Sequence, residues 1–220
     1  MMRPMLLQLL SQNPQLYFAI VISVLLSIVL HELGHGYAAI KLGDNTPLET
    51  GHMTLNPVVH MGWFSIILAC TVGLAWGMMP VDPTRMRGRY AGAIVAVAGP
   101  LVNVALCAVS IVLLVVFVKF VVSHLPEHVA KNVVVLLSTM AYLNLALVLL
   151  NLIPLPPLDG SRILADFSPQ YRNLIADPTM QGVFFACTIA ALIFGGRFIL
   201  PFAQDTVNST LVGLLRVVGV

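Results

Sequence analysis

The chain has 220 residues, 59% of them hydrophobic and 9% charged, with a formal charge of +2 and a mean hydropathy of +0.95. Soluble domains carry about a quarter charged residues, so this composition excludes a soluble globular protein and predicts an integral membrane protein. Its 11 Lys and Arg are scattered without a basic run, which argues against a nucleic-acid partner.

A hydrocarbon core about 30 Å thick needs roughly 20 apolar residues per helix. Spans are expected near 15–40, 91–121, 131–153 and 179–202, with a further apolar stretch at 61–81. Residues 1–14 predict a short interfacial N-terminus, and 206–220 an apolar tail in the interface. In the loop 43–60 the alternation from Leu48 to Leu55, bounded by Pro47 and Pro57, predicts a small strand or hairpin at the membrane edge. Cys70, Cys107 and Cys187 lie in apolar segments without CxxC spacing and read as buried small hydrophobes. No connection between apolar segments is long enough for a soluble domain. The expected fold is therefore a single all-α polytopic domain over 1–220. It comprises four to five transmembrane helices, a re-entrant or interfacial segment and a small β element. The core is expected at 15–165, with a C-terminal helix and tail at 179–220.

Late in the first apolar stretch stands His31-Glu32-Leu33-Gly34-His35. Ionisable groups at membrane depth cost about 2.5–3.5 kcal/mol each on insertion scales, so three together imply that something binds them. Helical positions i and i+4 share a face, which lets His31 and His35 present two imidazoles to one ion with Glu32 beside a metal-bound water. Catalytic zinc takes three protein ligands and keeps a fourth position open. The best third donor is Asp159, in the segment from Asn151 to Gly160 where Pro154, Pro156 and Pro157 stop a helix and Gly160 permits a tight turn. Asn144 lies two turns before Asn151, so both amides can face one polar cavity. Asn103 and Asn151 could hold substrate backbone or an oxyanion; for Asn103 an interhelical hydrogen bond is an equal alternative. His52 and His60 are candidates for the rim of the entrance. His124 and His128, at i,i+4 in a loop, are a weaker candidate for a second metal site.

The order HELGH, then Gly99-Pro100-Leu101-Val102-Asn103, then Asn151 through Asp159-Gly160 resembles the site-2 protease family of intramembrane zinc metalloproteases. The resemblance implies one zinc ion held by His31, His35 and Asp159, Glu32 as general base, and Asn103 and Asn151 as supporting polar residues. Thr54-Leu55-Asn56-Pro57 with His60 is similar to the compact bacterial branch without appended domains, which makes Asn56 a further candidate substrate contact. The chain departs from that branch at Met61-Gly62 and at Met78-Met79, away from the proposed metal site.

For Asp159 to meet an ion near the end of the first helix, an even number of crossings must separate them. The stretch 61–81 is therefore expected to be re-entrant or interfacial, the N-terminus external and the active site toward the cytoplasm, where Arg85, Arg87, Arg89, Arg162 and Arg172 would lie. The expected activity is hydrolysis of peptide bonds in transmembrane or signal-peptide-like substrates, in a bacterial cytoplasmic membrane and in contact with its lipids. Two alternatives stay open: a catalytically silent scaffold that binds membrane proteins, and a metal transporter, which would leave Glu32 unexplained.

Overall fold

The computed structural model describes residues 6–219; the first five residues of the predicted interfacial N-terminus and the last residue of the tail lie outside them. A short helix α1 (Leu6–Gln12) leads to Asn13, whose side chain accepts from the Leu16 N–H and with Pro14 starts α2 (Pro14–Lys41). Gly43, at φ +102°, turns the chain at the far end of α2. After a four-residue turn, α3 (Thr46–Glu49), come α4 (Pro57–Thr71) and α5 (Ala91–Phe120). A 3-10 turn (Val122–His124) precedes α6 (Glu127–Asn151), followed by α7 (Asp159–Phe167), α8 (Pro169–Ala176) and α9 (Gln181–Val217). Four helices, α2, α5, α6 and α9, are long and apolar enough to cross a membrane.

Helices α2, α5 and α6 pack on one another around small residues. Ala93, Ala96 and Gly99 of α5 and Ala141 and Ala146 of α6 are buried. Small side chains let helix backbones approach where lipid offers no hydrophobic drive for association. Val102 and Ala98 press against Gly34, where a methyl would fall 2.8 Å from Val102 Cγ2 and 2.9 Å from the Ala98 carbonyl oxygen. Helix α9 packs mainly on α6, buries Ala203 and Val207, and leaves Phe185, Phe194, Phe198 and Phe202 exposed.

The stretch 61–81 enters as a helix and returns extended. Near the tip the Cys70 carbonyl accepts from Tyr17 Oη, close to the start of α2. On the way back Ser65 Oγ donates to the Trp76 carbonyl and accepts from the Trp76 N–H, and the Met78 N–H donates to the His60 carbonyl. The Asp82 N–H then bonds Asp44 Oδ2, so the segment ends beside the end of α2 where it began. Two full crossings, α5 and α6, therefore separate α2 from α7.

Three expectations are corrected. The loop 43–60 holds no strand: Pro47 sits in the first turn of α3, and the Thr50 and His52 N–H groups close on the Thr46 and Pro47 carbonyls, so helical turns satisfy the backbone locally. No strand occurs among the described residues. The tail 206–217 continues α9 as one helix, because Pro201 lies within the helix without ending it. The cysteines are not buried: Cys70 and Cys107 are half-buried and Cys187 is exposed, an arrangement that lipid tolerates for a small apolar side chain.

Candidate metal centre

His31 and His35 stand one turn apart on α2, both buried, with Nε2 atoms 3.0 Å apart. Asp159, first residue of α7, brings Oδ2 to 3.1 Å from His31 Nε2 and Oδ1 to 3.4 Å from His35 Nε2. Asp159 is placed by the broken segment before it. The Pro154 and Pro156 carbonyls, without helical partners, accept from Tyr171 Oη at 2.8 Å and Thr188 Oγ1 at 2.6 Å, which ties the segment to α8 and α9. Gly160 lies against the Leu152 and Ile153 carbonyls, where a methyl would overlap both. About two turns of helix beyond Asp159, Asp166 accepts from the Ala93 N–H at 2.6 Å and so fastens α7 to the start of α5.

Helix α5 supplies the back wall. His35 Nδ1 lies 2.7 Å from the Val95 carbonyl, which can only accept, so Nδ1 carries the proton and Nε2 presents a bare lone pair. His31 Nδ1 lies 2.5 Å from Asn103 Oδ1. Gly99, midway between Val95 and Asn103 on the same face, leaves the space into which both imidazoles reach. A methyl there would fall 2.6 Å from His31 Nε2 and closer still to His35 Nε2. Glu32, buried next to this cluster, is covered by the returning segment: a methyl on Gly77 would fall 2.5 Å from Glu32 Oε1.

These donors fit a zinc ion. Zinc bonds of about 2.0–2.2 Å set tetrahedral ligand atoms about 3.3–3.6 Å apart, close to the separations found. Asp159 Oδ2 is buried without a hydrogen-bond partner. A bare imidazole nitrogen facing a carboxylate at this depth needs positive charge between them. Among the described residues His31, His35 and Asp159 form the one such group of metal-binding side chains.

The amides are placed differently from one another. Asn103 and Asn144 are fully buried and bonded to each other behind His31. Asn151, the last residue of α6, is half-buried beside the broken segment. Asn56 accepts from the Val58 N–H and caps α4. His60 is buried and its Nε2 donates to the Thr54 carbonyl at 2.7 Å, whereas His52 stays on the rim, half-buried and bonded to Thr50. Among the described residues His124 and His128 join no metal-binding group. Sequence reasoning missed the Val95 carbonyl, which no side-chain pattern reveals. It also missed Ser27, although a serine four residues before His31 in an apolar helix is a usable signal.

Residues 118–195 match the model of peptidase family M50. Over 153 residues, 68% of this chain and 69% of the other, the chain is 38% identical to a Bacillus subtilis protein named "Putative zinc metalloprotease YwhC". It is 28% identical over 198 residues, 87% of this chain and 69% of the other, to "Putative zinc metalloprotease Rip2" of Mycobacterium tuberculosis. Over 185 residues it is 31% identical to "Zinc metalloprotease MJ0392" of Methanocaldococcus jannaschii, covering 83% of this chain and 44% of that longer one. No solved structure matches. A relative this similar across two thirds of both chains shows that the protein belongs to peptidase family M50, the site-2 protease family of membrane zinc metalloproteases.

Proposed function

We propose that this metalloprotease is an endopeptidase that cleaves membrane proteins within or near their transmembrane segments, using one zinc ion per chain held by His31, His35 and Asp159. The observation that carries the proposal is depth. His31 lies ten residues from the end of α2, about 15 Å into the protein along a helix rising 1.5 Å per residue, so a scissile bond must come to it inside the apolar layer.

A zinc ion held by His31, His35 and Asp159 would supply a water with pKa near about 7 and polarisation of the scissile carbonyl. Glu32 accepts the water proton and returns it to the leaving amine. His31 and His35 keep their Nε2 lone pairs on the ion side because Nδ1 donates to α5. A helical substrate has every carbonyl bonded internally and must unwind before attack. The returning segment borders the site: Trp76 and Met78 bond to α4, while Gly77 lies against Glu32 and Ile28 and the Met79 side chain reaches Gly36, all on α2, and we assign this segment the role of receiving the unwound substrate. We assign Asn151, half-buried at the end of α6, the role of holding the unwound chain.

Arg85, Arg87 and Arg89 precede α5, and Arg162 and Arg172 lie on α7 and α8, all at the end of the bundle where α2 finishes. The positive-inside rule puts that end in the cytoplasm and the N-terminus outside. We treat 1–220 as one membrane domain with its catalytic core at 15–165.

The test is Glu32→Gln in protein reconstituted with a transmembrane reporter. It should keep zinc and lose cleavage by about 10²–10⁴-fold, the usual weight of a general acid–base. Equal cleavage by variant and parent would remove Glu32 from this role.

A further inference from the structure

Two buried asparagines and a serine form a chain behind His31, and its direction is determined by chemistry. Asn144 Nδ2 lies 2.8 Å from the Met140 backbone carbonyl and 2.8 Å from Ser27 Oγ. A carbonyl can only accept, so the Asn144 atom facing it is the NH₂ group. Its Oδ1 therefore faces Asn103 and accepts from Asn103 Nδ2 at 2.7 Å. That turns Asn103 Oδ1 toward His31, 2.5 Å from Nδ1. An acceptor there requires the proton on Nδ1 and leaves Nε2 bare toward His35 and Asp159. Amide orientations are often ambiguous, but this one is anchored at a group with no second option.

We infer that Asn144 is a positioning residue: clamped by the Met140 carbonyl and Ser27, it orients the Asn103 amide and so fixes the His31 tautomer that can bind metal. His35 obtains the same result in one step from the Val95 carbonyl. Asn103, Asn144 and Ser27 are all fully buried, so water cannot substitute for the relay. Partners of this kind carry about 10–100-fold in metal affinity. Without Asn144, the Asn103 amide is free to rotate and offer its NH₂ to His31, which stabilises the tautomer protonated on Nε2.

The inference rests on His31 being a metal ligand, and the experiment separates the two claims. Zinc affinity is measured by chelator competition for the parent, Asn144→Leu, Asn103→Asp and the double variant in detergent. An aspartate at 103 only accepts when ionised, so it fixes the His31 tautomer without help from Asn144. Asn144→Leu should cost about 10–100-fold in affinity in the parent and little in the Asn103→Asp background. The ¹⁵N spectrum of metal-free protein should show His31 protonated on Nδ1 in the parent and a mixture of tautomers in Asn144→Leu. Equal losses in both backgrounds, or unchanged affinity and tautomer, would reduce Asn144 to a packing residue and overturn the relay. A parent chain that binds no zinc would overturn the ligand assignment itself, while its ¹⁵N spectrum still reports on the relay.

Discussion

The α2/α5/α6 core and the C-terminal half of α9 are made of similar apolar residues and treat polar groups in opposite ways. In the core Ser27, Asn103, Asn144, His31, His35 and Asp159 are buried and brought together across three helices and the start of α7. On α9, Thr188 reaches the Pro156 carbonyl, but beyond it Thr206 and Thr210 simply bond back to carbonyls one turn earlier, and Phe185, Phe194, Phe198 and Phe202 face outward. In a bilayer, apolar content does not distinguish inside from outside; the location of partnered polar groups does.

Glycine substitutions should break this comparison most sharply. Gly99→Ala puts a methyl against both ligand nitrogens and should abolish metal binding, whereas Gly196→Ala meets nothing within 4 Å and should leave it unchanged. Metal content of the two purified variants checks this. Truncation comes next. Leu114→Ala removes a side chain with 0% exposure from α5, and Phe198→Ala one with 74% exposure from α9. The first should cost about 2–5 kcal/mol in a detergent unfolding assay and the second within about 0.5 kcal/mol, despite the larger side chain.

The smallest effect concerns the loop at the end of α2. Burial pushes the Asp44 carboxyl up, but hydrogen bonds from Thr46 and from the Asp82 N–H, with the Arg85 charge nearby, outweigh it and hold the carboxyl below its usual range. A depressed native value means this contribution is present above the unfolded pKa of about 3.9 and is lost as pH falls through the lower native value. Thermal stability should therefore decline below about pH 4 in the parent and decline less in Asp44→Asn.

How much of this was legible in the sequence follows from the range of each interaction. The i,i+4 spacing placed His31 and His35 on one face, and the prolines around Asp159 marked a break near the end of α6, because both are local statements about backbone geometry. The even crossing count required 61–81 to turn back, and the hairpin from α4 to Trp76 and Met78 does so. The loop 43–60 misled because alternation of side chains says nothing about who bonds the backbone, and there the turns bond themselves. The relay was out of reach: Ser27 and Asn144 are 117 positions apart in the chain, and its direction hangs on a main-chain carbonyl.

The most direct measurement is zinc per chain in the purified parent beside His35→Ala and Asp159→Ala, since it needs no substrate. The account predicts about one zinc in the parent and loss in both variants. Parent protein without zinc, or variants that keep it, would contradict the three-residue metal site on which the rest depends.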